Sequence, residues 1–335
     1  MNEFSQTLLL AIEDEIKKQV ARLDEPHTKL YHEMLTYHMG WTGESAGAKA
    51  AGKRIRPLLS LLASAAVGRS WEKTLPAAAG IELIHNFSLL HDDIQDKSET
   101  RRGRPTAWTI WGVAQAINAG DGMFILANMA IGDLAQTHPA ETVLQGERIF
   151  QEACLNLTRG QHLDIDYEKR TSIEVRDYWK MISGKTANLI AASMELGALF
   201  GGANAGIRLV YRDFGHYLGL AFQVQDDILG IWGDETVTGK SAASDLLEGK
   251  KSLPVLFGIE KGGDFAQRWA QGNITEADVP QLAAMLEREG TRQRAQEAVD
   301  QMTDLALNSL RQTNPQGEAG DELFALTKWL LERDA

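Results

Sequence analysis

Two acidic runs and several basic ones carry the chemistry open to this sequence. The first acidic run is Asp92, Asp93 and Asp96, within HNFSLLHDDIQDKSETRRGRPT. Asp92 and Asp96 are four residues apart, so on a helix they share a face with Cβ atoms about 6 Å apart. Asp93 points about 100° away. Hard carboxylate oxygens at that spacing suit Mg²⁺, which takes one or two carboxylates and fills its sphere with water and phosphate oxygens. The apolar run Ile81–Leu90 comes just before, so the acids end a helix. Negative charge is disfavoured there by the dipole, and a cation relieves it. A calcium EF-hand is excluded because D-x-D-x-D-G is absent. Taken alone, the run reads equally as a solvated acidic helix end paired with the arginines that follow it.

The second run, FQVQDDILGIWGD, again ends an apolar helix in an aspartate pair, Asp226 and Asp227. Gln223 is three residues before Asp226, on nearly the same face. Two such helix ends are expected to face each other and hold several metal ions. GKRIRP (Gly52–Pro57) opens a helix with Lys53, Arg54 and Arg56. Cations at a helix start oppose the dipole, and a bound diphosphate would relieve them; a solvated basic turn is the other reading. Arg101 and Arg102 pose the same choice, with Gly103 allowing a sharp turn after them. Further lysines come from GKT (Gly184–Thr186) and EGKK (Glu248–Lys251). GQHLDID brings Gln161, His162, Asp164 and Asp166, a metal site or a polar helix face lining a cavity. His85, two turns before Asp92, shares its face or is an ordinary core histidine. GDETVTGKS is not a P-loop: its spacing is one residue too long and no strand precedes it, although Lys240 can still bind phosphate as a point charge.

The elements that must position these groups read as helices. Apolar residues recur every three or four positions over Ser5–Leu23, Pro57–Val67, Leu75–Leu90, Thr106–Leu134, Ala140–Tyr167, Ile173–Phe200 and Ala205–Ile231. The same style continues over Glu276–Glu289, Thr291–Leu310 and Asp321–Arg333. Prolines 57, 76, 105, 139 and 280 sit at pattern starts, where a missing N–H costs little. The expectation is an all-α, single-domain bundle of ten or more helices over residues 1–335. Thr106–Leu134 and Ala187–Phe200 are apolar nearly all round, as in helices inside a bundle or at a subunit contact.

Composition narrows the function classes. The 335 residues carry a net charge of −12, which argues against general nucleic-acid binding, so anionic ligands must be met by local cations or metal. A single cysteine, Cys154, excludes an intrachain disulfide and a thiolate zinc cluster. The N-terminus lacks a signal-peptide pattern, and no apolar run reaches ~18 residues. A cytoplasmic protein without a membrane span is expected.

Read together and in order over Gly52–Pro254, GKRIRP, HNFSLLHDDIQDKSETRRGRPT, GQHLDID, GKTA, FQVQDDILGIWGD and TGK…GKKSLP resemble the trans-isoprenyl diphosphate synthases of the polyprenyl synthetase family. The likeness is to the short-chain farnesyl and geranylgeranyl diphosphate synthases. It implies a helical bundle around a deep apolar cavity, usually a homodimer. It implies an enzyme that joins an allylic diphosphate to isopentenyl diphosphate, releasing diphosphate. Its roles carry over residue by residue. Asp92 and Asp96, supported by Asp93, would hold two of three Mg²⁺ ions; Asp226 would hold the third, with Asp227 behind it. Arg101, Lys185 and Lys240 would grip the allylic diphosphate, and Lys250 would help close the site. Lys53, Arg56, His85 and Arg102 would grip isopentenyl diphosphate. Thr186 and Gln223, with the Lys185 carbonyl, would face the developing allylic cation. On this reading the acids and arginines of the first motif are separate grips rather than each other's partners.

Two departures stand out. The second motif often ends in a further aspartate, and here that position is Gly230. The following loop reads GKSAASD, without the usual Pro and Gly after Gly-Lys. Phe87, five residues before Asp92, with the small Ser88 after it, resembles the family's short-chain pattern and implies a C15 to C20 product, with C20 preferred. Two rivals remain: a class I terpene cyclase, which needs no second diphosphate grip, and a non-catalytic regulatory subunit, to which Gly230 points.

Overall fold

The computed structural model describes residues 2–68, 70–233 and 244–331. Helices dominate, and the one sheet among the described residues is a two-stranded hairpin. The chain forms two compact units. One comprises Met1–Glu152, Ala192–Leu209 and Asn314–Leu323; the other comprises Ala153–Ala191, Val210–Thr313 and Phe324–Ala335.

The first unit is built from α1 (Glu3–Val20), α2 (Lys29–His38), α3 (Ala48–Ala51), α4 (Ile55–Ala66), α5 (Leu75–Gln95), α6 (Ala107–Trp111), α7 (Val113–Asp133) and the start of α8 (Ala140–Lys169). Pro76 sits in the first turn of α5, where its fixed φ suits the helix. Small residues let α5 and α7 pack closely: Ala77, Ala78 and Ala79 on one, and Ala116, Ala119 and Ala127 on the other, are buried. A Cβ on Gly120 of α7 would come within 2.3 Å of His91 Nε2 on α5. The α5 helix stops at Asp96, and Lys97 follows with φ 53 in the left-handed region.

Two expectations change here. The apolar stretch Thr106–Leu134 is not one helix, because Gly112 (φ 81) breaks it into α6 and α7. Pro105 does not start a helix; it pairs in β2 (Arg104–Pro105) with β1 (Thr100–Arg101). The apolar character all round α7 also shows. One face is buried, while Val113, Ile117, Ile125 and Met129, spaced by multiples of four, are 42–55% exposed.

The second unit contains the rest of α8, then α9 (Val175–Ile182) and the beginning of α10 (Asn188–Phe200). It takes most of α11 (Ala205–Trp232), then α12 (Ser244–Leu247), α13 (Leu253–Lys261), α14 (Asp264–Ala270), α15 (Val279–Arg288) and α16 (Thr291–Thr313). The last helix, α17 (Gly317–Leu331), divides between the units. Periodicity over Ile173–Phe200 conceals two events. A capping box, Glu174 with Asp177, starts α9, and a π-helical turn over Ser183–Ala187 separates it from α10. Such turns widen a helix by one residue and recur at functional sites. Tyr178, Val224, Ile228, Leu253 and Leu256 share a buried core, each aliphatic side chain contributing about 1.5–3 kcal/mol by burial. Among the described residues, no helix is long and apolar enough to cross a membrane.

Candidate active site

In the first unit the end of α5 sorts its acids by depth. Asp92 is half-buried and Asp96 exposed, while Asp93 is 2% exposed. Asp93 accepts a hydrogen bond from Arg101 Nε at 2.7 Å on Oδ1. This corrects the expectation that the acids and arginines of this motif are separate grips. The fourth-residue spacing puts Asp92 and Asp96 on one face and turns Asp93 inward, where it needs a cation. Burial pushes the Asp93 carboxyl above its usual range, against the pull of Arg101. Its other oxygen, Oδ2, has no hydrogen-bond partner in the structure.

The hairpin after α5 aims the next cations. Thr100 pairs with Pro105 and Arg101 with Arg104, leaving Arg102 (φ 53) and Gly103 (φ 74) as the two-residue turn. Positive φ at both positions is the tight hairpin geometry whose twist matches the strands. Arg102 Nη1 donates to the carbonyls of Ala50 and Ala51, both at 2.8 Å, at the end of α3. Its guanidinium lies so close over Gly52 that a Cβ there would stand 2.6 Å away. GKRIRP divides into two roles. Arg54 is 4% exposed and pairs with Glu13 (3.1 Å) and Glu82 (2.9 Å), which ties α4 to α1 and α5. Arg56 reaches His85, with Nη1 and Nε2 3.3 Å apart, and Lys53 is exposed. Burial lowers the His85 pKa well below its ordinary value, and Arg56, Arg102, Arg101 and Arg54 add to the effect, so the imidazole is neutral. Arg56, His85 and Arg102 are thus brought within electrostatic reach of one another.

Phe87 lies between α5 and α7, 4.7 Å from the His91 ring and 5.3 Å from Phe124. Ser88 turns its hydroxyl back to the His85 carbonyl at 2.8 Å.

Glycines position the second unit's groups. A Cβ on Gly160 of α8 would meet Lys185 N at 2.1 Å, so α8 touches the π turn backbone to backbone. One helical turn later, Asp164 takes a charged hydrogen bond from Lys185 Nζ. A Cβ on Gly219 of α11 would meet Ala187 Cα at 2.5 Å, which seats α11 against the other end of that turn. Gln223 and Asp227 follow Gly219 at steps of four on the same face. Thr186 Oγ1 donates to Gln223 Oε1 (2.7 Å), and Gln223 Nε2 donates to Asp227 Oδ1 (3.0 Å). An ionised carboxylate only accepts, so Asp227 fixes which way the Gln223 amide faces.

Asp227 is 1% exposed and fully engaged. Its Oδ2 accepts from Tyr178 OH (2.7 Å) and the Leu253 N–H (3.1 Å), and Lys250 Nζ stands 3.7 Å from Oδ1. Both oxygens of Asp227 are thus engaged by protein groups, and it anchors Gln223. Asp226 is half-buried at the same helix end. Lys250 also lies 3.5 Å from Asp245 Oδ2, so in this structure it bridges two carboxylates rather than standing ready for a diphosphate. Burial alone would lower its pKa; Asp227, Asp245, Asp164 and Asp226 outweigh that and raise it. A cavity of about 70 Å³ is lined by Asp164, Lys185, Thr186, Gln223, Asp227 and Lys250, among others. Lys240, the remaining expected cation, lies outside the described residues.

Sequence reading missed Tyr178 and Asp245. Tyr178 sits in an ordinary amphipathic pattern, and Asp245 follows Asp227 by eighteen residues with no motif spacing to join them. GQHLDID is resolved as a polar face: Asp164 meets Lys185, Asp166 pairs with Arg170, and His162 is exposed. Among the described residues, no three His, Cys, Asp or Glu side chains converge as a ready metal cage. The donor set fits Mg²⁺ nonetheless, because that ion needs only one or two carboxylates when phosphate and water complete its shell.

The polyprenyl synthetase family pattern matches residues 45–287. The chain is 36% identical over 330 residues to a (2E,6E)-farnesyl diphosphate synthase of Mycobacterium tuberculosis, covering 96% of this chain and 90% of that one. It is 36% identical over 308 residues to a geranylgeranyl diphosphate synthase of the same organism, covering 90% and 86%. The crystal structure of a polyprenyl synthetase from Streptomyces coelicolor superposes with a TM-score of 0.88 at 33% identity, covering 98% of each chain. With the motifs of both units inside a match of that extent, the chain belongs to the polyprenyl synthetase family.

Proposed function

We infer that this protein is a trans-prenyltransferase that condenses an allylic diphosphate with isopentenyl diphosphate, releasing inorganic diphosphate and a linear C15 or C20 prenyl diphosphate. The observation that carries the reading is the fixed chain from Asp227 through Gln223 to Thr186. It holds an amide oxygen and a hydroxyl oxygen, two negative dipole ends, at the edge of the cavity beside Lys185. Such preorganised dipoles stabilise a cation without reorganising during reaction.

In this reading, Asp92 and Asp96 in the first unit and Asp226 in the second hold Mg²⁺, three ions in all. Mg²⁺, when bound, supplies Lewis-acid stabilisation of the leaving diphosphate. Lys185, with Lys240, neutralises that leaving group; Arg101 keeps Asp93 ionised behind Asp92. Arg56, Arg102 and Lys53 hold the second diphosphate. His85 is neutral, so it binds by donating an N–H and adds no charge. The cation is then attacked by the isopentenyl double bond, and the proton lost goes to the released diphosphate. One catalytic domain over residues 1–335 is part of this reading, since the family match runs through segments of both units. So are a homodimer, supported by the exposed apolar face of α7, and a cytoplasmic location.

The test is mass analysis of product from purified protein, Mg²⁺, isopentenyl diphosphate and geranyl or farnesyl diphosphate. A longer linear chain is expected. Cyclisation of one substrate without isopentenyl diphosphate, or turnover only with a partner chain, would overturn the reading.

A further inference from the structure

A cavity of about 20 Å³ lies in the first unit, among the end of α2, the end of α5 and the hairpin. His38, Asp93 and Arg104 line it, one from each element. Each carries a buried polar atom that, among the described residues, has no hydrogen-bond partner: His38 Nε2, Asp93 Oδ2 and Arg104 Nε. The rest of each side chain is committed. Arg104 donates from Nη1 to the Tyr37 carbonyl at 3.0 Å and from Nη2 to the Thr42 carbonyl at 2.7 Å. Asp93 Oδ1 accepts from Arg101 Nε. The His38 ring bonds to the Asn86 carbonyl. Since Nε2 has no partner, that bond uses Nδ1–H, which leaves Nε2 as the accepting nitrogen of a neutral imidazole.

These atoms set the chemistry of what fits between them. Two accept and one donates. A water molecule matches the set: it donates to His38 Nε2 and to Asp93 Oδ2 and accepts from Arg104 Nε–H, the usual bonding of a buried water. The volume exceeds the roughly 10–15 Å³ that one water needs and leaves little room for a second. A metal cation is disfavoured by Arg101, Arg102 and Arg104 in the lining, and an anion by Asp93.

We propose that this cavity binds one structural water that links His38 to Asp93, and that His38 is thereby a positioning residue for the Asp93–Arg101 pair. With Oδ1 held by Arg101 and Oδ2 by the water, the Asp93 carboxylate is fixed in its plane, and Arg101 with it, behind Asp92. Arg102 is aimed by other groups, the carbonyls of Ala50 and Ala51. The water therefore bears on the metal and allylic diphosphate side and not on the isopentenyl diphosphate side. This rests on the proposed function of the same site.

The experiment joins crystallography to kinetics. The parent crystal structure should show one water within hydrogen-bond distance of His38 Nε2, Asp93 Oδ2 and Arg104 Nε. His38→Gln carries an amide oxygen where Nε2 stands, so it should keep that water and kinetic constants within about twofold of the parent. His38→Asn keeps a donor for the Asn86 carbonyl but is too short to reach the water. Its KM for geranyl diphosphate should rise about fivefold, while its KM for isopentenyl diphosphate stays within about twofold. General damage to the hairpin would move both constants together and would not spare His38→Gln. A parent structure without this water, equal rises in both KM values, or His38→Gln no better than His38→Asn overturns the inference. A parent protein that holds the water yet condenses no pair of diphosphates would instead overturn the functional reading beneath it.

Discussion

Asp226 and Asp227 are adjacent in sequence and should fail in opposite ways when each is changed to asparagine. Asp227 accepts from Tyr178 and Leu253 N–H on one oxygen and from Gln223 on the other, with Lys250 beside it. An asparagine amide has one acceptor end. Turned either way, its NH₂ must face donors: the Tyr178 hydroxyl and an amide, or Gln223 and an ammonium. At a site this buried, hydrogen bonds to a charged acceptor are worth about 1.5–3 kcal/mol each. Losing two of them costs about 3–6 kcal/mol, against a total of about 5–15 kcal/mol. Asp227→Asn should lower the urea midpoint by a large fraction and also release Gln223 and Thr186. Asp226→Asn, at a half-exposed position, should cost about 1 kcal/mol or less in stability while removing most Mg²⁺-dependent turnover. Urea titration of both variants, with product formation measured at saturating Mg²⁺, separates the two. If Asp227→Asn unfolds within about 1 kcal/mol of the parent, or if Asp226→Asn is the less stable of the pair, the anchor-and-ligand division is wrong.

Three further outcomes follow from the same geometry. Asp92→Ala should lower turnover on the order of 10³-fold with an unchanged melting temperature; near-normal rates would refute its metal role. Phe87→Ala should lengthen the product by one or more C5 units in mass analysis, because it opens the space toward Phe124; an unchanged product would make Phe87 plain packing. Burial, with Arg101, Arg102 and Arg54 nearby, lowers the His38 pKa to about 3. The unfolded chain therefore takes up this proton first, and His38 contributes stability that is full above pH ~6.5 and falls as pH drops, by about 2 kcal/mol at pH 5. His38→Asn should flatten the stability profile between pH 7 and 5 by that amount, and an equal slope in both proteins would count against a buried neutral imidazole.

Helical identity was legible because apolar spacing is local: each amphipathic stretch declares its own period, and most predicted helices are present. Their breaks were not. Gly112 interrupts a run that is apolar on both sides, and the π turn at Ser183–Ala187 leaves no periodic signature. The identities of the chemical groups were legible too, since carboxylates, arginines and lysines at helix ends are written in the residues themselves. Which of them work directly was not.

Neighbouring residues on a helix point about 100° apart, so Asp92 and Asp226 stay toward solvent while Asp93 and Asp227 turn inward and must be neutralised. The partners that satisfy them, Arg101 from a hairpin, Tyr178 from α9 and Lys250 beyond α11, come from elements that no short motif links. Arg54 and Arg56 look alike in GKRIRP, yet only packing against Glu13 and Glu82 makes one structural and leaves the other beside His85. Gly230 reads as a missing acid along the chain, and in three dimensions the Asp245 carboxylate packs against it. Sequence determined which chemistry is available, because side-chain type and helical period are local properties. Tertiary structure decided the division of labour, because burial, approach distance and charge pairing depend on residues far apart along the chain.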